Sequence, residues 1–392
     1  MSVPTFDATG LEPRSATDEL RADAPLARTP DGTWVVLRHA EAVQVAEDAQ
    51  TFSSAVSRFL QVPNGLDGAE HAAIRAATDP FFAPEEMARL APVLRTIAVE
   101  LVEELMDSVG PAGTEVDAVA ALGAVFAVRG QTAWLGWPEE LEPELLDWMV
   151  ENHEASRSGD LARTTAVAER FDTIIRSVLA PRHAAGAPED PTTALMRLEI
   201  PLPDPSVPGS TSRPLREEEI VSILRNWTGG DLGSIALCTG VLLMALSRAP
   251  ELAARVRDGS EAEAGAIVDE LLRIDDPFVS NRRVTTCPVT LAGQEIAAGE
   301  RVMLHWTSIN RDERVFEDPD AVAPEANAAQ NLVYGTGPHV CPGRELATLE
   351  LVTLLRELLA VADVHPAETP GEREIAPVGG WAHAPVVLVP RG

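Results

Sequence analysis

The chain has 392 residues, 45% of them hydrophobic and 23% charged, which is enough for a sizeable globular core. Its 61 acidic residues face 31 basic ones, every one an arginine, and the net charge of -30 argues against nucleic acid or an anionic membrane surface as a partner. Three cysteines, Cys238, Cys287 and Cys341, are too few for a disulfide framework, and no pair has zinc-finger spacing.

The segment Met1 to Arg21 is polar and acidic, with no basic stretch leading into an apolar one. Neither a signal peptide nor a membrane anchor is expected, and the chain reads as soluble and cytoplasmic. A strand is predicted over Thr33 to Leu37. His71 and Arg75 stand at i and i+4 on a predicted helix that runs into Pro80-Phe81-Phe82. Helical periodicity covers Glu85 to Met106, opened by the start signal Ala83-Pro84-Glu85-Glu86, then Glu139 to His153 and Leu161 to Arg182. Pro201 to Pro214, rich in proline, glycine and serine, reads as a long surface loop before the longest helix, Arg216 to Ser247. The most apolar stretch of that helix, Ile235 to Leu246, is too short to span a bilayer and reads as buried. A further helix over Ala262 to Arg273 precedes a strand region, Val284 to Leu304, with a turn at Ala292-Gly293-Gln294. Leu346 to Val361 is helical, and a last strand lies in Pro385 to Val389. No internal repeat is visible. The pattern is mainly α with a small β portion.

The most specific stretch is Tyr334-Gly335-Thr336-Gly337-Pro338-His339-Val340-Cys341-Pro342-Gly343. Its glycines permit a tight loop that brings backbone close to something flat. Pro342 suits a first helical position, which sets the Cys341 sulfur at a helix N-terminus, where free amides favour thiolate. Such a thiolate is a soft-metal ligand and one of the few axial ligands of haem iron.

This loop resembles that of the haem-thiolate cytochrome P-450 superfamily, F-G-x-G-x-H-x-C-x-G, with tyrosine in place of the leading phenylalanine. The resemblance runs from about Trp34 to the C-terminus. It implies a single domain over residues 1–392 with the cytochrome P-450 fold, haem b as cofactor, and Cys341 as the axial ligand of its iron. Tyr334, Gly335, His339 and Gly343 would shape the haem loop. His71 and Arg75 match the H-x-x-x-R clamp on the haem propionates, and Arg283 begins the strand that supplies a further propionate partner. Glu270 and Arg273 match the buried E-x-x-R pair that braces the thiolate segment. No arginine precedes the loop to complete that network, which leaves Asn327 or Gln330 as its third member.

The long helix departs from the family. Its usual centre, A-G-x-[DE]-T, supplies an acid–alcohol pair for proton delivery. Here Thr228-Gly229-Gly230-Asp231-Leu232-Gly233-Ser234 preserves that pair in neither register. Each of the three glycines costs about 1 kcal/mol against alanine in a helix. Close packing against a neighbour is the plain account; a bent, open helix above the iron is the functional one, and the second is expected here because local rules break at functional sites. Asp231, Ser234, Gly230 and Gly233 are therefore the catalytic candidates, with Asp231 paired to Arg225, to water or to a polar substrate. Pocket candidates by position are Asn226, Phe59 in Ser57-Arg58-Phe59-Leu60, Val279 and Asn281 in Phe278-Val279-Ser280-Asn281, and Trp381.

The resemblance implies a monooxygenase that inserts one oxygen atom from dioxygen into a small organic substrate, in bacterial specialised metabolism. Electrons would come from a ferredoxin and its NAD(P)H-dependent reductase. The alternatives are a peroxide-driven or oxidative coupling enzyme that does not need the acid–threonine pair, or a haem protein that binds ligand without turnover.

Overall fold

In a computed structural model, which describes residues 3–391, helices dominate. Pro84–Met106, Glu142–Ser158, Leu161–Leu179, Glu217–Leu246, Glu261–Ile274 and Arg344–Val361 fall on the six predicted helical segments. Two of those segments change winding at one end. Glu139–Leu141 and Ala180–His183 are 3-10 turns that lead into and out of the neighbouring α-helices.

The 30-residue helix Glu217–Leu246 organises the rest. Glu217, Glu218 and Glu219 fill its first turn, where the helix dipole favours negative charge. Glu219 also accepts from the Arg216 backbone N–H at 2.8 Å and from both Nη atoms of Arg213 at 2.7 Å. From Ile235 onward the helix is buried almost all round, and it anchors the largest hydrophobic cluster. The whole 30-residue helix, like Ala118–Leu135, is long and apolar enough to cross a bilayer by length and composition, while its stretch Ile235 to Leu246 is buried as expected. Most of both segments is buried inside the fold.

Strands form the smaller part. A five-stranded sheet runs Leu26–Arg28, Trp34–Val36, Arg301–His305, Ser280–Thr285 and Phe52–Ser53, with Arg301–His305 parallel to Trp34–Val36 and antiparallel to Ser280–Thr285. A separate hydrophobic cluster packs under it. Between its strands, Val289–Leu291 and Gln294–Ile296 pair as a hairpin. Ala292 and Gly293, at φ 47° and 76°, make the predicted turn. Pro385–Pro390 pairs between Ala362–Pro366 and Thr114–Asp117. The loop Pro201 to Pro214 is mostly exposed and is closed by a two-residue strand pair, Glu199–Ile200 with Arg213–Pro214.

Candidate haem pocket

The loop from Tyr334 to Gly343 is built as its glycines require. Gly335 and Gly337 both lie at φ 73°, and a Cβ on Gly337 would come within 2.5 Å of the Ala46 carbonyl oxygen. Only glycine fits there. The Cys341 N–H donates to the Tyr334 carbonyl at 2.9 Å and closes the loop. The following helix begins at Arg344 with Gly343 as its cap, so Pro342 stands before the helix and not at its first position.

Cys341 opens onto a cavity of about 310 Å³ bounded by this loop, the middle of the long helix, Phe82, Trp134 and the strand Ser280–Thr285. Burial pushes the Cys341 thiol up; the Gly343 N–H and the charge of Arg75 oppose this without overcoming it. The expected preference for thiolate at a helix start is therefore outweighed by desolvation, and a bound cation is needed to hold the thiolate form.

Beside the loop lies a cluster that seeks an anion. Arg283 is buried and pairs with no carboxylate among the described residues; its side chain bonds only the Arg282 carbonyl. Burial lowers its pKa, with Asp67 the one charge acting the other way. The His71 ring lies 4.1 Å from that of His339, and its Nε2 is buried without a partner. His339 bonds Ser54 Oγ at 3.0 Å, and burial together with His71 and Arg283 holds its pKa down to about 4. Buried, unpaired donors of this kind fit a ligand carboxylate. Arg75 lines the cavity, but its guanidinium already bonds Asp79 at 2.6 Å and the carbonyls of Pro338 and Val340. It braces the cysteine loop as much as it faces a ligand. With the Cys341 sulfur, the flat approach allowed by Gly335 and Gly343, and this anion-seeking edge, the residues fit haem b.

The E-x-x-R pair is fully enclosed. Arg273 donates to Glu270 through Nε at 2.8 Å and Nη2 at 2.9 Å. Its remaining hydrogens reach the carbonyls of Asn310, Pro319 and Ala321, and its guanidinium covers the Phe316 ring. Asn327 Nδ2 donates to Glu270 Oε1 at 2.6 Å and stands where the third arginine was sought. Gln330 plays no such part; its carbonyl bonds His39.

Above the loop, the long helix is continuous through its glycines and does not open as expected. A Cβ at Gly230 or Gly233 would meet nothing within 4 Å, and one at Gly229 only ordinary contacts with Phe171 and Trp148. None of the three is required by helix packing. Gly233→Ala is accordingly expected to raise stability by about 0.5–1 kcal/mol, read as a higher denaturant midpoint. A lower midpoint would show that the glycine serves packing after all.

Asn226, Gly230, Asp231 and Ser234 line the cavity, as do Asn281 and Phe278. Gly233 does not. Asp231 does not pair with Arg225. Its Oδ2 accepts from Gln131 Nε2 at 2.6 Å, and burial raises its pKa to about 7. Three pocket candidates are displaced. Phe59 is exposed under Arg58, Val279 is buried in packing against Gly379, and Trp381 lies under Arg373 within the strand pair Glu372–Arg373 and Trp381–His383. In their place the walls include Gln131, Trp134, Trp227, Cys238, Asp276 and Trp306.

The first half of the long helix also fastens the rim of the cavity. Ser222 Oγ accepts from the Val62 N–H at 2.8 Å and donates to the Leu60 carbonyl at 3.0 Å. Asn226 Nδ2 donates to the Val62 carbonyl at 2.9 Å. Arg225 donates to the Leu60 carbonyl and, through its other Nη, pairs with Asp172 on Leu161–Leu179, both at 2.6 Å. Pro63 and Asn64, just beyond, line the cavity.

A family model described as cytochrome P450 matches residues 264–380. The chain is 29% identical over 356 residues to the erythromycin C-12 hydroxylase of Saccharopolyspora erythraea, covering 87% of this chain and 85% of that protein. It is 27% identical over 336 residues to the cyclomarin C epoxidase CymV of Salinispora arenicola, covering 81% and 80%. Among solved structures, the open cytochrome P450 EryK from S. erythraea superposes with a TM-score of 0.82 at 26% identity, covering 99% of this chain and 98% of that one.

Proposed function

The chain belongs to the cytochrome P450 superfamily and is a haem b monooxygenase, and from that premise we propose that it inserts one atom of dioxygen into a small organic substrate of bacterial specialised metabolism. Bound haem would supply dioxygen activation with two external electrons, and thiolate ligation by Cys341 would favour O–O cleavage. Cys341 is the residue to hold the iron. Arg283, His71 and His339 would hold the propionates, with Arg75 keeping the loop carbonyls in place. Phe82, Trp134 and Trp227 keep that side of the cavity dry, with ring centroids 5.0–5.4 Å apart. Asn226 through its Oδ1 and Asn281 through its Nδ2 offer polar contacts to a substrate, their other amide atoms being bonded to the Val62 carbonyl and the Trp306 indole. Asp231 and Ser234 move protons along the cavity side of the long helix. The observation that carries the reading is the cysteine loop facing this cavity beside unpaired donors for a ligand carboxylate.

The missing acid–threonine pair favours one second reading, a peroxide-driven enzyme. Leu232 is fully buried and Gly233 lacks a hydroxyl, so neither can serve that relay. Turnover with labelled dioxygen and reductant, run against peroxide alone, separates the two. The monooxygenase reading expects label from dioxygen in the product; product from peroxide alone, with none from dioxygen, overturns it.

A ferredoxin, reduced by an NAD(P)H-dependent reductase, is the electron donor that fits. Ferredoxins are commonly acidic, so docking on a chain of net charge -30 needs local cations. Arg344 stands exposed at the start of the cysteine-loop helix, over the Tyr334 ring and 2.8 Å from Asp269. Because Arg344→Glu would set a second carboxylate against Asp269, Arg344→Gln is the cleaner probe. It is expected to slow iron reduction at low ionic strength, with the difference fading as salt is added and substrate binding unchanged. Equal reduction rates at low salt would remove Arg344 from the docking face.

A further inference from the structure

Asp276 follows the helix Glu261–Ile274, in the bend before the strand Ser280–Thr285, and lines the cavity. Only 4% of it is exposed, so bulk solvent is not its partner. Its Oδ1 accepts from the Phe278 N–H at 2.8 Å, and its Oδ2 is buried with no donor supplied to it. Close neighbours fix the bend. The Gly379 N–H donates to the Pro277 carbonyl at 3.0 Å, and a Cβ on Gly379 would come within 2.6 Å of the Asp276 carbonyl oxygen. A Cβ on Gly380 would lie 3.3 Å from Pro277 and 3.2 Å from Val241, one turn beyond Cys238 on the long helix.

A buried carboxyl group with a free oxygen calls for a donor. The basic side chains lining the cavity, Arg75, Arg283 and His339, belong to the loop and the propionate edge, and none of them acts on Asp276. Its neighbour Asp275 is taken by both Nη atoms of Arg373 at 2.6 Å. From the long helix come Asp231 and Cys238, whose thiol feels both Asp276 and Asp231; Gly379 and Gly380 bring no charge. Asp231, Ser234 and Cys238 stand at i, i+3 and i+7, a single helix face that runs about 10 Å along the axis. The long helix adds no cation to the lining, and the free amide atom of Asn226 is again an acceptor, Oδ1. Burial pushes the Asp276 carboxyl well above its usual range, with the Phe278 N–H opposing and Asp275 adding to it. The wall is rich in acceptors and lacks a positive charge.

We propose that Asp276 anchors a substrate that carries a basic nitrogen, bound as its protonated ammonium group against Oδ2. This names the substrate class for the monooxygenase reading and rests on it. The ammonium supplies both the donor that Oδ2 lacks and the charge that lets the carboxyl group ionise. As it arrives, the Asp276 O–H bond breaks and the proton leaves to solvent, so one cation enters, one proton departs and the new pair is neutral. No electrons move. An uncharged substrate gains no such pair, and a carboxylate substrate would meet Asp231 and Asp276 with no cation to offset them. Because the bend is held by the Phe278 N–H and by Gly379, the anchor is fixed, and it sets which carbon of the substrate faces the iron.

Optical titration of the ferric holoprotein with dimethyl(phenethyl)amine, and with its uncharged isostere isopentylbenzene, tests the anchor. At neutral pH the amine is expected to move the Soret band to shorter wavelength and to bind at least about tenfold more tightly than the isostere. Equal affinities, or a move to longer wavelength that marks nitrogen on the iron, overturn the proposal. In Asp276→Asn the amide oxygen still accepts from the Phe278 N–H, so the bend is kept. The variant is expected to bind the isostere as wild type does and the amine about tenfold more weakly. Loss of both ligands together would make Asp276 a packing residue and sink the idea. Calorimetry in buffers of different ionisation heat adds a readout that packing does not move. Wild type should release close to one proton per amine bound, with affinity rising as pH rises, and Asp276→Asn should release none. The same proton count in both proteins also overturns the anchor. Both measurements are made without turnover, so absence of label in the dioxygen experiment would remove the monooxygenase reading and leave this result standing.

Discussion

Cys341→Ala is expected to abolish the strongly red-shifted Soret band of the reduced, carbon-monoxide-bound protein and all turnover with it, whereas Cys287→Ala and Cys238→Ala keep the band. The contrast with Cys238 is the demanding part, because that cysteine also lines the cavity. Their surroundings differ. Cys238 is buried mid-helix, and desolvation together with Asp276, Asp231 and Asp275 drives its thiol well above its ordinary range. Cys341 has the Gly343 N–H and the Arg75 charge pulling the other way, on a loop held by the Tyr334 carbonyl. Thiolate ligation needs such donors. Survival of the band in Cys341→Ala, with its loss in Cys238→Ala, would invert the assignment.

Arg273→Ala is expected to destabilise the fold by about 3–5 kcal/mol, since it leaves Glu270 buried and without its cation. Asn327 Nδ2 and the Ala323 N–H still reach Glu270 Oε1, so the acid keeps some donors but no compensating charge. The carbonyls of Asn310, Pro319 and Ala321 lose their donor as well. Against a typical domain stability of about 5–15 kcal/mol this is a large share, readable in denaturant midpoints. Glu270→Leu combined with Arg273→Leu should cost less than Arg273→Leu alone, because no charge is then stranded. A single variant within about 1 kcal/mol of wild type would mean that the pair does not brace the segment.

The cysteine loop was legible because its chemistry is local: two glycines at positive φ, a histidine, a cysteine and a helix start lie within ten consecutive positions. The E-x-x-R pair was legible for the same reason, and Asn327 was one of two neighbours within reach. Ala124–Leu135 was not seen, since a helix buried on most sides carries no amphipathic period to read. Gln131 and Trp134 went with it. Glu350 looks like any surface acid in Leu349-Glu350-Leu351; only the tertiary approach of two other helices reveals it as buried. Phe59, Val279 and Trp381 failed as pocket residues because position along the chain says nothing of which way a side chain turns. The open long helix was expected from the cost of its glycines at a presumed functional segment, and the continuous hydrogen-bonded turns show that the empty space beside Gly230 and Gly233 needs no break.

Arg225 grips the Leu60 carbonyl and Asp172 at once, so one guanidinium ties the cavity rim to helix Leu161–Leu179. Ser222, Arg225 and Asn226 together pin the segment Leu60 to Val62, which leads into the cavity-lining Pro63 and Asn64, to the long helix. Moving that segment away from the cavity would mean breaking these bonds together.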